Sequence, residues 1–171
     1  MNSNLVIAIA RQCGSGGREI GGKLASKLGI AFYDNELITM AAKKSGMSQK
    51  VLGDADEKAT NSLLYTLAMG SSFYSENSGM AFDLPINDRL FVTQSDIIKT
   101  LASEAPAVFI GRCSDYVLRE YPNLLRLFIH APIDFRAGIL SMRHDVAPEK
   151  AKDIAVKTDK RRANYYNYYT G

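Results

Sequence analysis

Arg11, Gly14, Ser15, Gly16, Gly17, Arg18 and Glu19 fall within one stretch, IAIARQCGSGGREIGGKLA, from Ile7 to Ala25. Glycine admits positive φ and lets another group approach the backbone where a Cβ would otherwise stand. A glycine cluster set between an apolar run and a helical pattern turns several backbone N–H groups toward one spot at a helix N-terminus, where the helix dipole also favours an anion. Phosphate is the natural occupant. Arginines on either side of the cluster add forked donors that grip phosphate oxygens in pairs. A tight strand-to-helix turn with no ligand is the plain alternative; it explains the glycines and leaves the arginines unexplained.

The stretch departs from the usual phosphate-loop pattern, G-x-x-x-x-G-K-[ST], whose lysine reaches the outer phosphates and whose hydroxyl meets magnesium. With Gly16 as the second glycine, Arg11 stands at the first, Gly17 at the lysine and Arg18 at the hydroxyl position. A dinucleotide fingerprint fits no better, because Glu19 falls where its third glycine belongs. Arg18 and Arg11 are therefore the candidates for the missing lysine's electrostatic role, and Ser15 for the hydroxyl. Residues Gly14 to Glu19 are expected to cradle the phosphates.

Other reactive side chains carry less. The 2 cysteines, Cys13 and Cys113, have neither disulfide-framework nor metal-ligand spacing. Cys13 lies in an electropositive loop, but no histidine accompanies it, and thiol catalysis is not expected. His130 and His144 have no nucleophile or metal partner in sequence and read as structural. Basic residues recur at Arg136, Arg143, Lys150, Lys152, Lys157, Lys160, Arg161 and Arg162, either as a solvated helical face or as a phosphate-facing set. Tyr165, Tyr166, Tyr168 and Tyr169 read as a helix end packed on the core rather than a base-stacking surface.

The elements that must position these residues follow from periodicity. A chain of 171 residues, 46% hydrophobic and 23% charged, has room for one α/β domain. The balance of 21 Lys+Arg over 18 Asp+Glu, net +3, is too mild to imply nucleic acid or membrane binding. Leu5 to Ala10 reads as a buried strand, too short for a signal-peptide core or membrane span. From Gly17, Ile20, Leu24 and Leu28 follow helical spacing to a stop at Gly29. IAFYD, AVFIG and LLRLFIH read as further strands. Helices are expected over 36–44 and 49–67, in DIIKTLASE and SDYVLREY, and in two basic helices after Pro132 separated by a turn at 145–148; residues 70–80 read as a loop. Alternating strands and helices predict a parallel sheet covered on both faces, with ligands at the strands' carboxyl ends.

ARQCGSGGREIGGKLASKLGIAFYDNELI, together with VFIGRCSDYVL, LRLFIHAP, FRAGI and DKRRANYY, resembles the cytidylate kinase-like family of P-loop proteins over most of the chain. The resemblance implies a P-loop NTPase fold with a five-stranded sheet, a helical acceptor-nucleotide subdomain over 35–100 and an arginine-bearing lid over 134–165; because phosphoryl transfer must exclude water, the basic segment from Arg136 to Arg162 is expected to stand open without ligand and to move over the loop when both nucleotides bind. It implies an acceptor-phosphate role for Arg112, with Asp34 beside the acceptor. Cys113 replaces an aspartate that helps recognise cytosine, and Met40 an arginine. Arg162 and Asp159 match the lid motif, while Ala155 stands at its first arginine. Ile110 replaces the acidic residue of the third strand's end, leaving Asp115 as the nearest substitute, and no metal ligands are assigned.

The resulting expectation is a cytoplasmic nucleoside monophosphate kinase-like transferase, using ATP with Mg2+ to phosphorylate CMP or a related pyrimidine monophosphate. Arg18, Arg136, Arg143 and Arg162 are its candidate catalytic residues. The alternative is a catalytically weak nucleotide- or anion-binding regulatory module. Nucleotides are the expected partners, with neither nucleic acid nor membrane. The chain is expected to stop short of the fifth strand, leaving a sheet edge open or paired in a homo-oligomer.

Overall fold

The computed structural model describes residues 4–37, 39–40 and 86–171. The helices expected over 36–44 and 49–67 and the loop over 70–80 lie wholly or mainly outside them. The chain divides into two units, Met1–Asp34 with Ile98–Gly171, and Asn35–Ile97. In chain order the first unit holds β1 (Val6–Arg11), α1 (Gly17–Leu28) and β2 (Ala31–Tyr33). Helix α2 (Ile86–Glu104) begins in the second unit and ends in the first. Then follow β3 (Ala107–Ile110), α3 (Ser114–Val117), β4 (Leu124–Ile129), α4 (Ile133–His144) and α5 (Pro148–Thr170).

Among the described residues the sheet has four strands, all parallel, in the order β2-β3-β1-β4. Continuous apolar runs make β1 and β3 buried on both faces, as parallel strands flanked by helices must be. Period-2 alternation puts Ile7, Ile9, Val108 and Ile110 on one face, where they pack with Ala25 of α1 and with Leu24, Ile30 and Phe32. Ala8 and Phe109 occupy the other face, where Phe109 stacks on Tyr33 at 5.3 Å. Gly21 brings α1 onto the sheet: a Cβ there would stand 2.6 Å from Ile110 Cδ1. Gly29, at φ +62, ends α1 by donating to the carbonyls of Ala25 and Ser26.

This strand order fixes where a ligand can sit. The chain leaves β1 toward β2 on one side and leaves β3 toward β4 on the other, so the loops after β1 and β3 part at the carboxyl ends of two adjacent strands. Such a divergence opens a crevice, the usual ligand position in a parallel α/β sheet.

Candidate functional site

The loop after β1 runs from Gln12 to the N-terminus of α1 at Gly17. Gly14 and Gly16 take φ of +78 and +80, the left-handed conformation a side chain resists. Gly14 has a second reason: a Cβ would meet the Arg136 carbonyl at 2.7 Å. Gly16 has open space around it, so backbone conformation alone selects glycine there. Ser15 is buried, and its hydroxyl donates to the Gln12 carbonyl at 2.9 Å.

The loop after β3 is left-handed at Gly111, Arg112 and Cys113 in succession, with φ of +67, +58 and +53. Two of these residues carry side chains, and backbone strain of this kind gathers at functional sites. Gly111 lies against Arg11, since an added Cβ would overlap the Arg11 guanidinium. The two loops therefore meet through an arginine that fills the space a side chain at 111 would need.

Around this junction the sequence candidates separate into groups. Asp34, at the end of β2 and 3% exposed, takes Arg18 Nε at 2.6 Å and Arg11 Nη2 at 3.7 Å. Arg162 Nη1 donates to the Arg11 carbonyl at 3.0 Å. Burial, first, and then the positive charge of Arg162 lower the Arg11 pKa to about 10, with Asp34 partly offsetting them and Arg112 adding to the fall. Arg112 is lowered by burial, against the pull of Tyr165 and Asp34. Arg11, Arg18, Arg112, Arg162 and Asp34 thus share one electrostatic neighbourhood, in which cations outnumber the carboxylate.

The remaining candidates lie elsewhere. Arg136 is buried, and its Nε donates to the Ala131 carbonyl while Nη1 donates to the Cys13 carbonyl at 3.1 Å and to Asp159 at 2.7 Å. It holds the loop's backbone. Asp159 completes this clamp by accepting from the Cys13 N–H at 2.7 Å. Arg143 ends α4, exposed, and its charge helps hold Glu19 below the usual carboxylate range, after the larger effect of Lys23. Glu19 itself pairs with Lys23 at 2.8 Å on the surface of α1. Asp115 accepts from the Tyr166 hydroxyl at 2.9 Å. Burial, then Asp115, pushes the Cys113 thiol up to about 12, leaving it a neutral thiol.

The basic segment expected to stand open is instead bonded to the loop. Contacts from Arg136, Asp159 and Arg162 to residues 11 and 13 tie α4 and α5 to it. The buried charge of Arg136 requires acceptors, and the loop supplies one of them. Cys13 also packs against the apolar seam of these helices, Ala137, Leu140, Ala151 and Ala155. Gly111 was not among the sequence candidates for the site, and Asp159 was matched only to the lid motif, with no contact to the loop expected. The Asp-x-x-Arg spacing of Asp159 and Arg162 aligns both on one helix face, which lets them reach residues 13 and 11 together.

A strand, a glycine loop with two left-handed positions and a helix N-terminus, set at the divergence of a parallel sheet, define a P-loop kinase-like protein. The sequence model of the cytidylate kinase-like family matches residues 6–171, and the chain belongs to that family. Among solved structures, an uncharacterized protein from Eubacterium ventriosum ATCC 27560 is 25% identical, with 97% of this chain and 78% of that one covered at a TM-score of 0.65. A gluconokinase from Sinorhizobium meliloti 1021 is 16% identical over 92% of this chain and 76% of its own, at a TM-score of 0.49. A shikimate kinase from Acinetobacter baumannii, in complex with shikimate, is 13% identical over 96% and 79%, at 0.48. No match was found among curated proteins.

Proposed function

We propose that the protein is a cytoplasmic nucleoside monophosphate kinase-like phosphotransferase, moving the terminal phosphoryl group of ATP to CMP or a related pyrimidine monophosphate. The observation that carries the reading is the gathering of Arg11, Arg112 and Arg162 in one electrostatic neighbourhood beside a glycine loop, with Asp34 offsetting the charges of Arg11 and Arg112. Partly buried arginines that repel one another gain a compensating partner when a phosphate arrives. Phosphoryl transfer asks little covalent chemistry of a protein and much positioning and charge stabilisation. In this reading residues 14–19 cradle the donor phosphates, Arg18 reaches the outer ones, and Arg112 with Arg162 holds the acceptor phosphate. Arg136 and Asp159 hold the loop in shape, and Arg143 stands at the rim near Glu19.

Family membership carries Mg2+ with ATP, and the described residues do not fit an ion held by the protein. Asp34 is bridged by two arginines, Asp159 by Arg136 and a backbone N–H, and Asp115 by a tyrosine hydroxyl. Ser15 Oγ offers one buried neutral oxygen. Among the described residues no group of three metal-ligating side chains comes together.

The same tied carboxylates favour a second reading, a regulatory module that binds nucleotide or anion and turns over little. A coupled assay of ATP consumption against a panel of nucleoside monophosphates separates the two. Turnover dependent on one pyrimidine acceptor supports the kinase; tight binding with no turnover on any acceptor overturns it in favour of the module.

A further inference from the structure

We infer that a polyphosphate in this site is neutralised by guanidinium groups and not by a divalent ion held on the protein, so that metal-free ATP binds at least as tightly as its magnesium complex. The inference rests on the phosphate-site reading above and goes beyond it in naming the ionic form that the site accepts.

Supply of positive charge comes first. Arg11 and Arg18 both contact Asp34, and the charges of Arg112 and Arg162 act on Arg11. Arg162 is fixed by its bond to the Arg11 carbonyl, and Gly111 leaves room for the Arg11 guanidinium against the β3 loop. This set carries more positive charge than Asp34 returns before any ligand arrives. A ligand with more negative charge is favoured by it, and metal-free ATP has more than the magnesium complex.

Competition for the ion comes second. A protein-held magnesium ion is usually bound through one or two carboxylates and keeps near-octahedral oxygen coordination. Every carboxylate described at the loop is already engaged. Freeing Asp34 would uncover Arg11 and Arg18, while freeing Asp159 would leave Arg136, 6% exposed, without its charged partner. Arg18 stands at the sequence position where the usual loop has its magnesium-binding hydroxyl. At that position one substitution both removes a metal-binding hydroxyl and adds a guanidinium group.

The test is calorimetric titration of the whole chain with ATP at fixed ionic strength, once in EDTA and once in excess magnesium, with inorganic tripolyphosphate as a base-free control. The dissociation constant in EDTA is expected to equal or fall below that in magnesium for both ligands. A threefold or greater weakening in EDTA overturns the inference while leaving the phosphate site standing. No binding in either condition removes the phosphate site itself. Arg18→Met supplies a second arm: affinity is expected to fall about tenfold in both conditions, and recovery of wild-type affinity on adding magnesium would also overturn the inference.

Discussion

Replacing Arg11 with methionine should stabilise the empty protein and blind it to phosphate. Burial and Arg162 hold the Arg11 pKa at about 10, against 12.5 for the free side chain. That difference corresponds to about 3 kcal/mol by which folding disfavours the charged form, an upper bound for the gain from removing it. Near neutral pH Arg11 is protonated both folded and unfolded, so the penalty is present in full. It is relieved only as pH rises from about 10 toward 12.5, where the unfolded chain holds the proton and the folded one does not.

The neighbours tolerate the change. Methionine retains the stem that Gly17 accommodates, since a Cβ on Gly17 would stand 2.6 Å from Arg11 Cβ. Asp34 keeps Arg18 at 2.6 Å, and Arg162 donates to the main-chain carbonyl of residue 11, which any side chain leaves in place. After the packing lost beside Gly111, a net gain of about 1–2 kcal/mol should raise Tm by about 3–6 °C. Thermal unfolding near pH 7.5, in sulfate and in chloride of matched ionic strength, reads both effects. Sulfate should raise the Tm of the wild type and not of the variant. A variant that melts lower in chloride, or that keeps the full sulfate shift, would refute the account of a strained cation waiting for an anion.

Arg18→Ala should weaken ATP binding about tenfold by calorimetry, the low end for a charged contact because Arg18 is 66% exposed; unchanged affinity would remove Arg18 from the site. Gly111→Ala should destabilise the protein by about 1–2 kcal/mol through its left-handed backbone and also weaken phosphate binding by displacing the Arg11 guanidinium; denaturant titration and calorimetry should therefore both move. Arg136→Ala leaves Asp159 without its charged partner and should cost about 2–3 kcal/mol, with faster hydrogen exchange across α4 and α5; unaltered protection there would show that the clamp does not hold those helices. Cys113, with its thiol pushed up to about 12 by burial, should resist iodoacetamide at pH 8 in the native protein while labelling on unfolding, as mass spectrometry would show.

Strands and helices of the first unit were legible because their signals are local. The apolar run before Gly14 is β1, the spacing of Ile20, Leu24 and Leu28 is α1, and the asparagine-free stop at Gly29 is a left-handed cap. Convergence of Arg11, Arg112 and Arg162 was legible only through the family resemblance, since nothing local says that residues about a hundred positions apart share a crevice. What escaped was partnering. A sequence shows that Asp34 and Asp159 are acidic and lie in segments that resemble the family, yet not that Asp34 is taken by Arg11 and Arg18 or Asp159 by Arg136. The same limit applied to Arg136, whose burial turns a residue expected over the transferred group into a brace for the loop.

Helix α5 links one departure from the family pattern, Ala155, to the arginines of the crevice. Asp159 reaches Cys13 in the loop after β1 and Arg162 reaches Arg11 at the end of β1, while Tyr166 reaches Asp115 in α3, just past the loop after β3. Steps of three and four residues keep these side chains on one side of a helix, so a single rod touches the chain after β1 and the chain after β3. One turn earlier the same side carries Ala155, fully buried against Ala137, Leu140 and Ala151. An arginine at 155, where the resemblance has one, would have to displace that seam and lift α5 from α4. With Ala155 inward the helix lies close enough for Asp159 to accept the Cys13 N–H, and the positive charge that position would have supplied is left to Arg162 and the arginines of the two loops. Under the proposed phosphate-binding reading, small side chains in the seam and guanidinium groups in the crevice are parts of one arrangement: with no arginine at 155, the phosphate's counter-charge comes from Arg11, Arg18, Arg112 and Arg162.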